Sequence, residues 1–219
     1  MHICINIFGQ IRFIEHLLNT INILLIDNIN TFHILYSTWT TTDIESMKSL
    51  FPDCYIQQYD LPDMNMYKHF IDTYELDITQ PKHKTISHYM LGYHIKKMSI
   101  DTILKYENEK NIKFDIILTM RTYTNLFNIP LQEYYKEIND NIIYTAIEPS
   151  YDIYKLGAYP DSFTIAKRDS TLQILNVFDV LDKSTIDGTT FHPETSSYKI
   201  IINKGLQIIK LPFMAFVYE

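Results

Sequence analysis

FDIILTMRTYTNLF, residues 114–127, is an apolar run that stops at Arg121 and gives way to a polar segment, Thr122-Tyr123-Thr124-Asn125. An apolar run of this kind bounded by turn residues reads as a buried strand. It delivers an arginine and a polar turn to one edge of a sheet. Many α/β proteins keep their chemistry at such an edge, and many keep only a turn there.

Working upstream, residues 86–109 have the clearest helical spacing in the chain, with Tyr89, Met90, Tyr93, Ile100, Ile103 and Leu104 as the apolar stripe. Glu107 to Lys110 form its wet end, and Asn111 is placed to cap it. Residues 59–84, with Pro62 and Pro81, read as an irregular connection able to act as a lid. Further back come a strand at 54–58 and a short helix capped by Thr42 or Asp43. Before them are a strand at 32–37, a helix from Ile11 to about Leu24, and a first strand at His2–Phe8 turning at Gly9-Gln10. This alternation predicts an α/β fold with a mostly parallel central sheet and helices on both faces. Downstream, 141–146, 162–166 and 206–218 read as strands, and 169–181 and 194–203 as helices, with Asp169 as an N-cap.

At 219 residues the chain is one domain, and 46% hydrophobic with 21% charged residues is ordinary globular composition. Five glycines leave no room for a Gly-rich phosphate loop, and a net charge of −7 argues against a nucleic-acid partner. A local pocket for one small anion stays open. Cys4 and Cys54 are too few for a disulfide scaffold or zinc site and fit a reducing compartment. The first residues carry no basic leader, and the apolar stretch at 21–35 is broken by Asp27, Asn28 and Asn30, so no membrane span is expected. These features imply a soluble, cytoplasmic protein. Isoleucine, asparagine and tyrosine are abundant, a bias of AT-rich codons, which makes the three arginines (Arg12, Arg121 and Arg168) more informative.

In a parallel sheet, ligands bind outside the carboxyl ends of the strands. FGQIR (8–12), STWTTTD (37–43) and MRTYTN (120–125) fall there. Arg12 and Arg121 can face one anion through guanidinium forks, or each can pair with a surface carboxylate. Trp39 can stack on a planar ligand or anchor the core. Asp161 is a candidate general base or sugar-hydroxyl ligand, or only a turn residue after Pro160. His192 and Glu194 flank Pro193 at a helix start and can project into the same site, or Glu194 can serve the helix dipole alone. No Asp-x-Asp, HxxxH or CxxC spacing is present, so the residues themselves assign no metal.

Taken in order, FGQIR, STWTTTD, NIKFDIILTMRTYTNLF (111–127), DSFTIAKR (161–168) and HPE (192–194) resemble a family of small glycosyltransferases found in bacterial polysaccharide clusters and large DNA viruses. The likeness spans nearly the whole chain and, with the AT-rich bias, suggests a viral origin. It implies the A-type glycosyltransferase fold as a single domain, 1–219: a Rossmann-like nucleotide-binding half (1–126) merged with an acceptor half (127–219). It also implies a nucleotide-sugar donor, a glycan or glycoprotein acceptor, and donor contacts from Gly9, Gln10, Arg12, Trp39, Arg121, Thr122, Asn125 and His192. Asp161, with Glu194 second, is then the catalytic candidate, as general base or in donor-sugar recognition. Where that family reads RTRPD, this chain has Arg121-Thr122-Tyr123-Thr124-Asn125. In that fold an acid at this position coordinates Mg²⁺ or Mn²⁺ on the donor diphosphate. Asn125 offers a carbonyl oxygen without charge, a weaker ligand for a hard cation. Asp43 and Asp161 can compensate, Arg12 and Arg121 can replace the metal, or the activity has been lost and the chain is a non-catalytic binding or structural protein.

Overall fold

The computed structural model describes residues 1–11, 14–25, 30–68, 86–122, 124–126, 134–147, 163–176, 198 and 201–217. Its strands are β1 (His2–Phe8), β2 (Thr31–Trp39), β3 (Tyr55–Tyr59), β4 (Ile116–Arg121), β5 (Thr124–Leu126), β6 (Ile142–Ile147), β7 (Phe163–Lys167) and β8 (Gln207–Val217). They lie in the order β3-β2-β1-β4-β7-β6-β8-β5. The first four are mutually parallel, and β6 and β8 are parallel to each other. β7 is antiparallel to both β4 and β6, and β5 is antiparallel to the far end of β8. The fold is therefore α/β with a mostly parallel sheet.

Alternation places the two sides of β1 against different helices. Ile3, Ile5 and Ile7 are fully buried against Leu17, Ile21 and Leu24 of α1 (Ile14–Leu24) and Met47 of α2 (Glu45–Leu50). Burying one such side chain contributes about 1.5–3 kcal/mol. On the opposite face, Cys4, Leu35 and Ile117 pack on Ile103 of α3 (Ile86–Lys110) and Leu175 of α4 (Arg168–Leu175). Helices thus cover both faces.

α3 reaches its expected length and ends at Asn111, whose φ of +50° gives the left-handed turn that stops a helix. Two positions of its stripe differ from expectation. Leu104 is 41% exposed, whereas Glu107, read as solvated, is buried. Glu107 sits at stripe spacing from Ile103 and Ile100. Its carboxylate accepts from Arg168 Nε at 2.8 and 3.1 Å, from Arg168 Nη2 at 2.8 Å and from the Phe114 N–H at 2.9 Å. This clamp joins α3, α4 and the entry to β4. Asp169 is not an N-cap: α4 starts one residue earlier, and Asp169 instead accepts from Arg168 Nη1 at 2.6 Å.

Residues 120–126 also depart from a simple turn. β4 ends at Arg121 and β5 begins at Thr124, with Asn125 opposite Phe216 of β8. The Thr20 hydroxyl of α1 donates to the Thr124 carbonyl at 3.0 Å, tying the short strand down. Of the connection expected to be irregular at 59–84, Tyr59 ends β3, Met64–Tyr67 form a 3-10 turn, and 69–84 lie outside the described residues. No helix among the described residues is long and apolar enough to cross a membrane.

Candidate functional site

β2, β1 and β4 are parallel neighbours, so Trp39, Phe8 and Arg121 end them on one edge. Phe8 stands opposite Ser37 on one side and Arg121 on the other. Register partners leave a sheet on the same face, which sends Phe8 and Arg121 toward α3.

The chain leaves β1 through Gly9, whose φ of +104° is a conformation that side chains rarely adopt. Its N–H donates to the Ser37 carbonyl at 3.1 Å, and its carbonyl accepts from the Tyr36 hydroxyl at 2.7 Å. A Cβ built there meets nothing within 4 Å, so glycine is required by the backbone angle, and the space beside it is open. Burial pushes the Tyr36 hydroxyl well above its usual range, so it stays a protonated donor. Gln10 is exposed, and its carbonyl accepts from the hydroxyl of Thr122, which is buried. The turns after β1 and β4 are therefore stitched together, and FGQIR and MRTYTN meet at one place. Arg121 is half-buried beside them.

Trp39 is 4% exposed, packed on Phe8 and Ile95, with its ring 6.0 Å from that of His94. His94 in turn meets the Tyr67 hydroxyl. The burial of Trp39 is what the core-anchor role of the tryptophan requires. The segment after it is fastened by Thr40 N–H to the Tyr59 carbonyl at 2.8 Å and Gln58 Nε2 to the Thr42 carbonyl at 3.1 Å. Asp43 is exposed, and its Oδ1 accepts from the Glu45 N–H at 3.0 Å, opening α2.

Three groups at this edge were missed in the sequence. Lys96 of α3 is 8% exposed, its Nζ 5.6 Å from the Phe8 ring centroid and 5.4 Å from that of Tyr93. Asn6 is fully buried, and its amide donates to Ser99 Oγ at 3.2 Å. Thr119 is its register partner on β4. Asn6 Oδ1 and Thr119 Oγ1 are buried with no hydrogen-bond partner, an uncommon condition one pleat below Phe8 and Arg121. The signal lay in the spacing: Tyr93, Lys96, Ile100, Ile103 and Glu107 recur at intervals of three and four, which puts Lys96 on the buried stripe.

Arg12, Asp161, His192 and Glu194 lie outside the described residues, as does the side chain of Asn125. Among the described residues no group of three His, Cys, Asp or Glu side chains can hold a metal ion, and Asp43 is already engaged at its helix start. Asp161 and the Asn125 side chain, the other candidate ligands for the Mg²⁺ or Mn²⁺ implied by the family resemblance, lie outside the described residues.

No protein-family profile and no curated protein matches the chain. Among solved structures it is similar to mouse xyloside xylosyltransferase 1 in its apo form, with a TM-score of 0.47 and 9% identity over 95% of this chain and 85% of that one. A likeness that distant leaves the functional reading to the chain's own residues.

Proposed function

We propose that the protein is a glycosyltransferase that moves a sugar from a nucleotide-sugar donor to a hydroxyl of a glycan or glycoprotein acceptor in the cytoplasm. The observation that carries this reading is the junction of FGQIR and MRTYTN at the carboxyl edge of adjacent parallel strands, joined by the Thr122–Gln10 bond. In this reading the open space at Gly9 admits the nucleotide backbone, exposed Gln10 contacts the base or ribose, and Arg121 with Arg12 meets the diphosphate. His192 and Asn125 complete the donor contacts. The acceptor oxygen forms the new bond to the anomeric carbon, the nucleoside diphosphate leaves with the electrons of the broken bond, and Asp161, with Glu194 second, takes the acceptor proton.

A second reading, a non-catalytic binding or structural protein that has lost turnover, is favoured by one observation: Asn125 stands where the related pattern has an acid. The test is the melting temperature against a panel of nucleotides and nucleotide-sugars, followed by donor hydrolysis with the best binder. A ligand that binds the native state alone adds roughly 2.7 kcal/mol at a hundred times its Kd. A shift with one nucleotide-sugar supports the transferase reading, and slow release of free sugar separates it from the binding protein. No shift across the panel refutes the transferase reading and favours the non-catalytic protein.

A further inference from the structure

We propose that two copies of this chain associate through β3, the strands pairing antiparallel about a two-fold axis at Ile56 so that the two sheets become one. The proposal does not depend on the transferase reading.

β3 is an end strand of the sheet, paired with β2 on one side. The Tyr59 carbonyl accepts from the Thr40 N–H on that side. By alternation Tyr55, Gln57 and Tyr59 turn their backbone groups to β2, and Ile56 and Gln58 turn theirs outward. Proteins ordinarily blunt such an edge with a charge, a proline, a bulge or a cover. Tyr55-Ile56-Gln57-Gln58-Tyr59 carries no charge and no proline, and its register with β2 is unbroken. Among the described residues nothing bonds to the Ile56 N–H and C=O or to the Gln58 N–H.

The groups already engaged select the register. The Cys54 N–H donates to the Phe51 carbonyl at 2.9 Å, and the Gln58 carbonyl accepts from Gln57 Nε2 at 3.2 Å. With Ile56 opposite the partner's Ile56, Gln58 stands opposite the partner's Cys54. The two isoleucines exchange both their bonds, and each Gln58 N–H meets the other copy's Cys54 carbonyl. The two groups left over are the two that already have partners.

The same register places charges in complement. Lys105 Nζ of α3 donates to Gln57 Oε1 at 3.1 Å, and Glu109 Oε1 of α3 accepts from the Tyr55 hydroxyl at 3.1 Å. Gln57 falls opposite the partner's Tyr55 in a non-hydrogen-bonded pair, where side chains approach most closely. Lys105 therefore comes beside the partner's Glu109, and the two-fold axis repeats the pair. An axis at Gln57 instead sets Lys105 against its own copy and calls on the engaged Gln58 carbonyl.

The test is sedimentation equilibrium of the full chain from roughly 1 to 200 μM, for the wild type, Lys105→Glu, Glu109→Lys and an equal mixture of the two variants. Both positions are exposed, so each variant should melt within about 2 °C of the wild type. The wild type should dimerise with a Kd on the order of 10 μM, as suits a small interface. Each variant alone sets like charges together twice and should dimerise roughly tenfold or more weakly. In the mixture glutamate meets lysine at both places, and heterodimers should form with about the wild-type affinity. A wild type that stays monomeric at about 200 μM overturns the proposal. A dimer that either variant retains within twofold puts the interface elsewhere and overturns it too. A dimer lost in both variants and not regained on mixing overturns the register at Ile56.

Discussion

Replacing Glu107 by glutamine keeps the shape of the side chain and removes its charge from a buried clamp. The Glu107 and Arg168 side chains are 8% and 16% exposed, and the carboxylate accepts four contacts between 2.8 and 3.1 Å. Removing one partner of a buried pair costs about 3–5 kcal/mol, because the other charge is left without its counterion. Arg168 retains Asp169 at 2.6 Å, but that carboxylate is 71% exposed and only weakly compensating. The expected loss is therefore at the lower end, about 3 kcal/mol. For a chain of this size each kcal/mol moves Tm by about 2–4 °C, so a fall of about 6–12 °C is expected. In urea the midpoint should fall by about 1 M or more at unchanged m. Diphosphate affinity should not change, since the clamp sits at the amino end of β4, away from Arg121. The double variant Glu107→Met/Arg168→Met should recover part of the loss, the remainder being the unpaired N–H of Phe114. A single-variant shift below about 3 °C, or a double variant no more stable than the single, would refute the argument that buried charge is what makes this clamp costly to break.

Gly9→Ala should destabilise by roughly 1–3 kcal/mol through its backbone angle and not through collision, and should weaken nucleotide affinity more than Tm alone accounts for. Equal effects at Gly9 and at a remote glycine such as Gly205, whose φ is +75°, would contradict a site role. His33 and His94 both have pKa values lowered, first by burial and then by neighbouring groups, His2 and Lys110 for the former and Lys97 for the latter. The unfolded chain therefore binds more protons than the native one as pH falls below about 6.5, and stability, complete above that value, should decline through the lowered native pKa values. Urea midpoints between pH 7.5 and 5.5 check this, and His33→Phe/His94→Phe should flatten the slope. Burial raises the Cys4 thiol well above its usual pKa and pushes Cys54 up to about 12. Neither should react with Ellman's reagent at pH 8 within minutes while the protein is native, and both should react at once in guanidinium.

Local sequence was enough wherever a segment's own periodicity set its structure. β1, α1, β2 and α3 could be read because alternation and the three-to-four spacing follow from backbone geometry alone, and Asn111 because a helix stop needs a residue tolerant of positive φ. The carboxyl-edge position of Gly9, Gln10, Arg121 and Thr122 followed from the same alternation, since parallel strands joined by helices end on one edge. Tertiary structure alone decided what depends on partners distant in sequence. Nothing local says that β7 inserts antiparallel between β4 and β6, or that the polar residues after Arg121 form a strand paired with β8. Both depend on which edges remain unpaired once the sheet is assembled. Trp39 is buried because α3 crosses it, and Glu107 is inward because Arg168, sixty-one residues later, brings the charge that makes its burial tolerable. Lys96 belongs to the same class: its spacing points inward, but only the fold brings its ammonium beside the rings of Phe8 and Tyr93.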